Sequence, residues 1–253
     1  MPTTVRKSRN SNSTPFEARM AVTRDDMEAI MRLRHSVFNQ TFGARFSHCE
    51  NGMDYDSFDP LCRHLIVKDR SNNQTIATTR LLTEQKAQLI GSFYSENEFI
   101  LPGLKELPDP ILELGRVCIH EDYRNRSAIL SLWQALSKVL TTTDTEVRFL
   151  IGCASISMDD GGIQAEAIMR ILRANYMDTS RINATPLVPL PQVDLPDNVV
   201  TSIPPFLKFC LRLGAKVCGE PSWDRDFGVA DVFTLLDLHE LNRHTHRYVN
   251  RFL

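Results

Sequence analysis

No run of 18 or more apolar residues occurs in the 253-residue chain, so the sequence offers no candidate for a membrane-spanning helix. Its opening segment, MPTTVRKSRNSNSTPFEARM, has no apolar stretch that would serve as a secretory signal, and a cytoplasmic protein is expected. The six cysteines form no CxxC pair, and a chain of this size does not need disulfide staples, which fits reduced thiols. Metal patterns are missing too. Cys49, Cys62 and His64 lack a fourth ligand at finger spacing, and His239 and His244 stand five apart, so no HExxH motif is present. Neither sign of charge prevails, with 29 Lys and Arg against 31 Asp and Glu for a net charge of −2. Without a basic balance, a motif or interleaved aromatics, nucleic acid is not an expected partner. What remains is 42% hydrophobic and 24% charged residues, the make-up of a globular protein with a sizeable core.

Residues 1–24 hold five basic side chains against one acid, Glu17, with little to bury, and read as a flexible basic N-terminal tail. From Asp25 to about Phe42 apolar residues recur at helical spacing, with Thr23, Asp25 and Asp26 at the start as cap and dipole partners. After an acidic stretch, HLIVKD and TIATTRLL read as a strand hairpin. ILELGRVCIH suits a buried central strand, and the segment around Ile129 to Leu140 a helix. VRFLIGCAS then gives a strand and GIQAEAIMRILRANY a helix. Six of the thirteen prolines crowd into residues 185–205. A helix at about Pro204 to Leu213, a short strand AKVCG and a long strand VADVFTLLDL close the chain. The alternation predicts one α/β domain over 25–253, with a mixed β-sheet and helices on both faces.

Glu113 and Arg116 are the most informative residues, because they place a carboxylate and a guanidinium in an otherwise apolar strand. Three apart on a strand, they face opposite sides unless a bulge re-aims one, and Gly115 between them would permit it. Two roles stay open at this point: a site, or two structural charges each paired elsewhere. The acids Glu50, Asp54, Asp56 and Asp59 lie near Arg34 and Arg80 in the chain order and form either a cationic-amine pocket or a solvated loop. Arg124, Arg126 and Ser127 stand where a strand gives way to a helix, as a phosphate-holding turn or an ordinary polar cap. Cys118 and Cys153 lie in apolar strand runs and read as core residues. Lys208 and Arg212 share a helix with Phe206, Leu207, Phe209 and Leu211. That helix is either a basic docking face or a core-packed helix with two solvated cations.

The blocks RHSVF, DSFDPLCRHLIV, TTRLL, GSFYSENEF, ELGRVCIHEDYR, IGCAS and PPFLKFCLRLGAKVCGEP occur in this order over about residues 27–237. Together they resemble the acyl carrier protein dependent N-acyltransferases of the GNAT superfamily, above all the ornithine N-acyltransferases of bacterial ornithine lipid synthesis. The N-acyl amino acid synthases and, more distantly, the acyl-homoserine lactone synthases look similar. The resemblance implies a GNAT-like fold and transfer of a long-chain (3-hydroxy)acyl group from acyl carrier protein to the α-amine of ornithine. It implies no cofactor besides that donor.

Carried over position by position, the resemblance gives Glu113 and Arg116 catalytic roles. It places Arg34, Phe38, Glu50, Asp56, Asp59 and Arg80 at the substrate. Backbone N–H groups from Val117 to Ile119 become the oxyanion donors, and Arg124, Arg126 and Ser127 hold the phosphopantetheine. The turn Arg124 to Ile129 departs from coenzyme A enzymes of the superfamily because it contains no glycine, which suits a looser grip on the single phosphate of a carrier arm. Glycine, another amino acid or a homoserine-derived compound remains an alternative acceptor, and a non-catalytic module that binds acyl carrier protein an alternative role. Peripheral contact with an anionic inner membrane is left open.

Overall fold

The computed structural model describes residues 15–42, 51–124, 126–142, 147–196 and 198–241. Thr23 starts the first helix as its sequence predicts. Its hydroxyl accepts the Asp26 amide at 3.1 Å while Asp26 accepts the Thr23 amide at 3.4 Å, a reciprocal cap. Helix α1 (Arg24–Phe42) buries Ile30, Leu33, Val37 and Phe38 on one stripe, and Arg34 sits within that stripe.

The segment expected to be a flexible tail is partly a strand, which corrects that reading for residues 15–24. Strand β1 (Phe16–Met20) pairs antiparallel with β2 (Arg63–Asp69) along its length. Phe16 and Arg19 explain the anchoring. Phe16 is buried against Tyr123, and Arg19 forks onto the buried Asp26 at 2.7 and 2.8 Å. Five residues anchored by one aromatic ring and one ion pair are too short a pattern to stand out among polar neighbours. Residues 1–14 lie outside the described residues.

The hairpin forms as expected from β2 and β3 (Thr75–Thr83). A short helix, α2 (Glu84–Ile90), follows, capped by the Thr83 hydroxyl at its start and by left-handed Gly91 at its end. Beyond it come a 3-10 turn at Tyr94–Asn97 and β4 (Phe99–Ile100). Next are β5 (Ile111–Ile119), α3 (Arg126–Thr142), β6 (Phe149–Ser157) and α4 (Ile163–Asn175). The proline-rich segment holds β7 (Thr185–Pro186), which pairs with β4. The chain ends with α5 (Pro205–Leu213), β8 (Lys216–Val217), β9 (Ser222–Asp224) and β10 (Val229–Asp237).

One mixed sheet takes the order β1-β2-β3-β5-β6-β10-β8, with β9 also on β10. Residue alternation along the strands divides its two faces. Leu65, Val67, Ala77 and Leu81 pack with Leu132, Ala135 and Leu136 of α3. Ala154 and Ile156 pack on that same side with α4 and α5. Thr78 and Cys118 point to the other side, where α1 lies and where Cys118 meets Leu33, Val37 and Phe38. Helices therefore cover both faces, as the sequence predicts. No helix among the described residues is long and apolar enough to cross a membrane.

Candidate active site

The site begins where two central strands part. Strands β5 and β6 run parallel and pair only at Ile111–Phe149, Leu112–Leu150 and Glu113–Ile151. Past Glu113 they diverge, and a cleft of about 320 Å³ opens between them. Gly152 stands at the fork. A Cβ on it would overlap the Leu114 carbonyl oxygen, so glycine lets the strands approach just before they separate.

A bulge shapes the β5 wall. Thr78 pairs with Cys118 and Arg80 with Gly115, leaving Thr79 opposite both Arg116 and Val117. The expected bulge is present, but its strained residue is Arg116, at φ +50°, and not Gly115. Glu113 and Arg116 consequently both line the cleft. Beyond the bulge the His120 amide turns to β3 and donates to Ile76 O at 2.8 Å. Strand amides alternate in direction, so those of Val117 and Ile119 turn to the open side, where no ladder bond from β6 meets them. Both residues line the cleft.

The Glu113 carboxylate is 3% exposed and holds the Tyr94–Asn97 turn. Its Oε2 accepts the Tyr94 amide at 2.7 Å, and its Oε1 accepts the Ser95 amide at 2.8 Å and the Ser95 hydroxyl at 2.5 Å. A carboxylate has about four acceptor positions, so three bonds leave one on Oε2. Burial pushes Glu113 above the usual carboxylate range, against the downward pull of the Ser95 hydroxyl and the two amides.

Arg116 lies between two rings, with its guanidinium carbon 4.9 Å from the centroids of both Tyr94 and Phe227. It donates to Tyr94 OH at 3.1 Å and to Asp56 Oδ2 at 3.1 Å, and its Nε forms an ion pair with Asp54 Oδ2 at 3.4 Å. Burial pushes the Tyr94 phenol up to about 12, so it stays protonated. Phe38 packs edge-on to Phe227 at 5.5 Å and lines the cleft.

The acidic loop serves the arginines. Arg34, with 0% exposure, donates to Asp54 at 2.6 Å and forks onto Asp59 at 2.7 and 3.2 Å. Arg80 binds both oxygens of Asp56, at 2.6 and 2.7 Å, and reaches Asp59 at 3.3 Å. With Arg116 this makes three guanidinium groups against three carboxylates, a neutral cluster. Burial pushes Asp59 up, but Arg34, with Arg80 and the Asp56 amide beside it, outweighs burial and holds it down at about 2. Arg34, Asp56, Asp59 and Arg80 do not themselves line the cleft; of these four, Asp56 touches Arg116 in its wall. They leave no spare negative charge for an amine. Glu50 lies outside the described residues.

At the cleft mouth Arg124 donates to Thr41 Oγ1 of α1 at 2.6 Å and lines the opening beside Ile129. Ser127 is exposed on the first turn of α3. Arg126 belongs to that turn, but its side chain lies outside the described residues. Burial pushes the Cys118 thiol up to about 12 and Cys153 well above the usual thiol range, so neither presents a thiolate.

Sequence reasoning missed Tyr94, Ser95 and Phe227, and it missed a second acid cluster. Glu98, Asp224 and Asp231 line the same cleft, with one oxygen from each within 4.8 Å of the others. Asp231 carried a readable signal, a lone carboxylate in the apolar run VADVFTLL, the same logic that singled out Glu113.

A splayed parallel pair, a bulge on one of its strands and a polar wall beneath define the acyl-transfer cleft of a GNAT acyltransferase. The family profile of the acetyltransferase (GNAT) domain matches residues 33–134. The chain belongs to the family of L-ornithine N(alpha)-acyltransferases and is an acyltransferase. It is 31% identical to the L-ornithine N(alpha)-acyltransferase of Rhodobacter capsulatus, over 93% of this chain and 95% of that one. To the protein of the same name from Brucella abortus it is also 31% identical, over 94% and 88%. Among solved structures, the CoA-dependent acyl-homoserine lactone synthase BjaI shares the fold, with a TM-score of 0.53 over 94% of this chain and 89% of that chain, at 14% identity.

Proposed function

We propose that this enzyme transfers a long-chain (3-hydroxy)acyl group from the thioester of acyl carrier protein to the α-amine of L-ornithine, giving a lyso-ornithine lipid. One observation carries the reading: the opened β5/β6 cleft brings together Glu113, Arg116 and the stretch from Val117 to Ile119 that β6 leaves unpaired, in a chain whose relatives bear the ornithine acyltransferase name.

The α-amine must lose a proton before it attacks, since an α-ammonium is charged at neutral pH. Glu113 takes that proton through one water held at its remaining Oε2 position. The nitrogen lone pair then forms the C–N bond and the thioester carbonyl becomes an oxyanion. Val117 and Ile119 amides donate to it, each such donor being worth on the order of 3 kcal/mol in other enzymes. Glu113 passes the first proton on to solvent and then takes the second N–H proton from the nitrogen that attack has made cationic; collapse breaks the C–S bond, leaving a neutral amide, and Glu113 returns that second proton to the departing thiolate. Arg116, whose guanidinium lines the cleft, receives the acceptor's carboxylate.

The donor is assigned to a carrier protein because the turn from Arg124 to Ile129 has no glycine with which to wrap a pyrophosphate. Arg124 and Ser127 take the single phosphate of the pantetheine arm, with Arg126 beside them in sequence.

Mass spectrometry of lipid extracts from a host expressing the chain, its Glu113→Gln variant or an empty vector tests the reading. A new N-acylornithine in the wild type, strongly reduced in the variant, is expected. An unchanged lipid profile despite folded protein and charged carrier would overturn it.

A further inference from the structure

The loop carboxylates Asp54, Asp56 and Asp59 are each matched by an arginine, whereas Glu98, Asp224 and Asp231 are not. Asp231 Oδ1 accepts the Ser155 hydroxyl at 2.6 Å, and Asp224 Oδ1 accepts the amides of Asp226 and Phe227 at 2.9 and 3.0 Å. None of the three makes an ion pair with a Lys or Arg within 4.0 Å among the described residues. Glu98 Oε2 is closed to solvent and meets no N–H or hydroxyl donor among the described residues, its one side-chain hydrogen bond being a proton shared with Asp231. That shared proton serves two of the three acids only, and carboxylates at this spacing repel one another once ionised. Burial and the charges of Asp231 and Asp224 push Glu98 well above the usual range, and burial raises Asp231 to about 6. The fold therefore maintains, in the wall of its own cleft, a group of acceptors that calls for a cation.

The chemistry of that cation follows from the cavity. One oxygen from each acid lies within 4.8 Å of the others. An ammonium donating three tetrahedral N–H bonds of about 2.8 Å spaces its acceptors by roughly 4.6 Å. The same cavity holds Arg116, a cation for a carboxylate, and Glu113.

We propose that Glu98, Asp224 and Asp231 form the subsite for the distal ammonium of a diamino acid acceptor, and so select ornithine over amino acids with an apolar side chain. The inference rests on the acyl transfer proposed above. It assigns specificity to residues outside the loop acids, on strands β9 and β10 and just after the Tyr94–Asn97 turn.

The test is the ratio of kcat/KM for ornithine to that for norvaline, which lacks only the distal amine, in the full chain and in its Asp231→Asn and Glu98→Gln variants. A wild-type ratio of roughly 10 to 100 is expected, from the strength of hydrogen bonds to charged groups, and both variants should bring it close to one. Equal use of the two amino acids by the wild type, or a parallel fall for both in the variants, overturns the subsite. So does transfer that EDTA abolishes in the wild type without any ornithine preference, which would make the three acids a divalent cation site. If neither amino acid is acylated, the acyl-transfer reading fails by itself, and thermal shift then decides the subsite. Ornithine should raise Tm more than norvaline does in the wild type and not in Asp231→Asn, whereas equal shifts overturn it.

Discussion

The Ser95 hydroxyl donates to Glu113 Oε1 at 2.5 Å, tying the turn after α2 to the carboxylate at the fork of the sheet. That bond pulls Glu113 down against the upward push of burial. Removing it in Ser95→Ala raises the Glu113 pKa, so the base limb of the kcat/KM profile moves to higher pH while the high-pH plateau falls much less. A pH profile of both proteins checks this. An unmoved limb would mean that Glu113 is not the group that titrates in catalysis.

Asp59 predicts how the neutral cluster responds to acid. Its folded pKa is depressed from 3.8 to about 2, so its stabilising contribution is fully present above about pH 4 and is lost as the pH falls toward 2. A shift of this size in a buried group corresponds to about 2 kcal/mol. Urea unfolding at pH 6 and pH 3 should show a smaller pH-dependent loss in Asp59→Asn than in the wild type. The variant should also lose about 3 kcal/mol or more at pH 6, because Arg34 is left with only Asp54. Equal pH dependence in the two proteins would contradict the assignment.

Arg116 occupies the left-handed region at φ +50°, where a side chain costs roughly 1–2 kcal/mol that glycine does not bear. Arg116→Gly and Arg116→Ala lose the same ion pairs and ring contacts. The glycine variant should nevertheless unfold about 1 kcal/mol harder than the alanine variant, and both should lose transfer. Calorimetry of the pair decides, and an alanine variant as stable as the glycine one would argue against a strained bulge.

Much of this architecture is legible in the chain. The apolar periodicity of α1, α3 and α4 and the β-rich runs of β3, β5, β6 and β10 mark the central layer, and the charged pair within β5 marks the site. Residues 84–90 give no such signal, because EQKAQLI is mostly polar and depends on its Thr83 and Gly91 caps. The bulge was foreseeable at Gly115, but the strain went to Arg116, since ring contacts on both sides of its guanidinium and the Asp56 pair hold that side chain in place. The acids of the loop were visible as a group. That three of them would be neutralised by Arg34, Arg80 and Arg116, while Glu98, Asp224 and Asp231 would remain unmatched, depends on how distant segments meet. No local pattern carries it.

The most direct test of the central claim is transfer by the purified full chain from acylated carrier protein to L-ornithine, with the acylated nitrogen located by tandem mass spectrometry and acyl-coenzyme A run as a parallel donor. The account predicts an amide on the α-nitrogen, formed from the carrier thioester in preference to coenzyme A. An amide on the distal nitrogen, or no transfer from the carrier thioester, would contradict it.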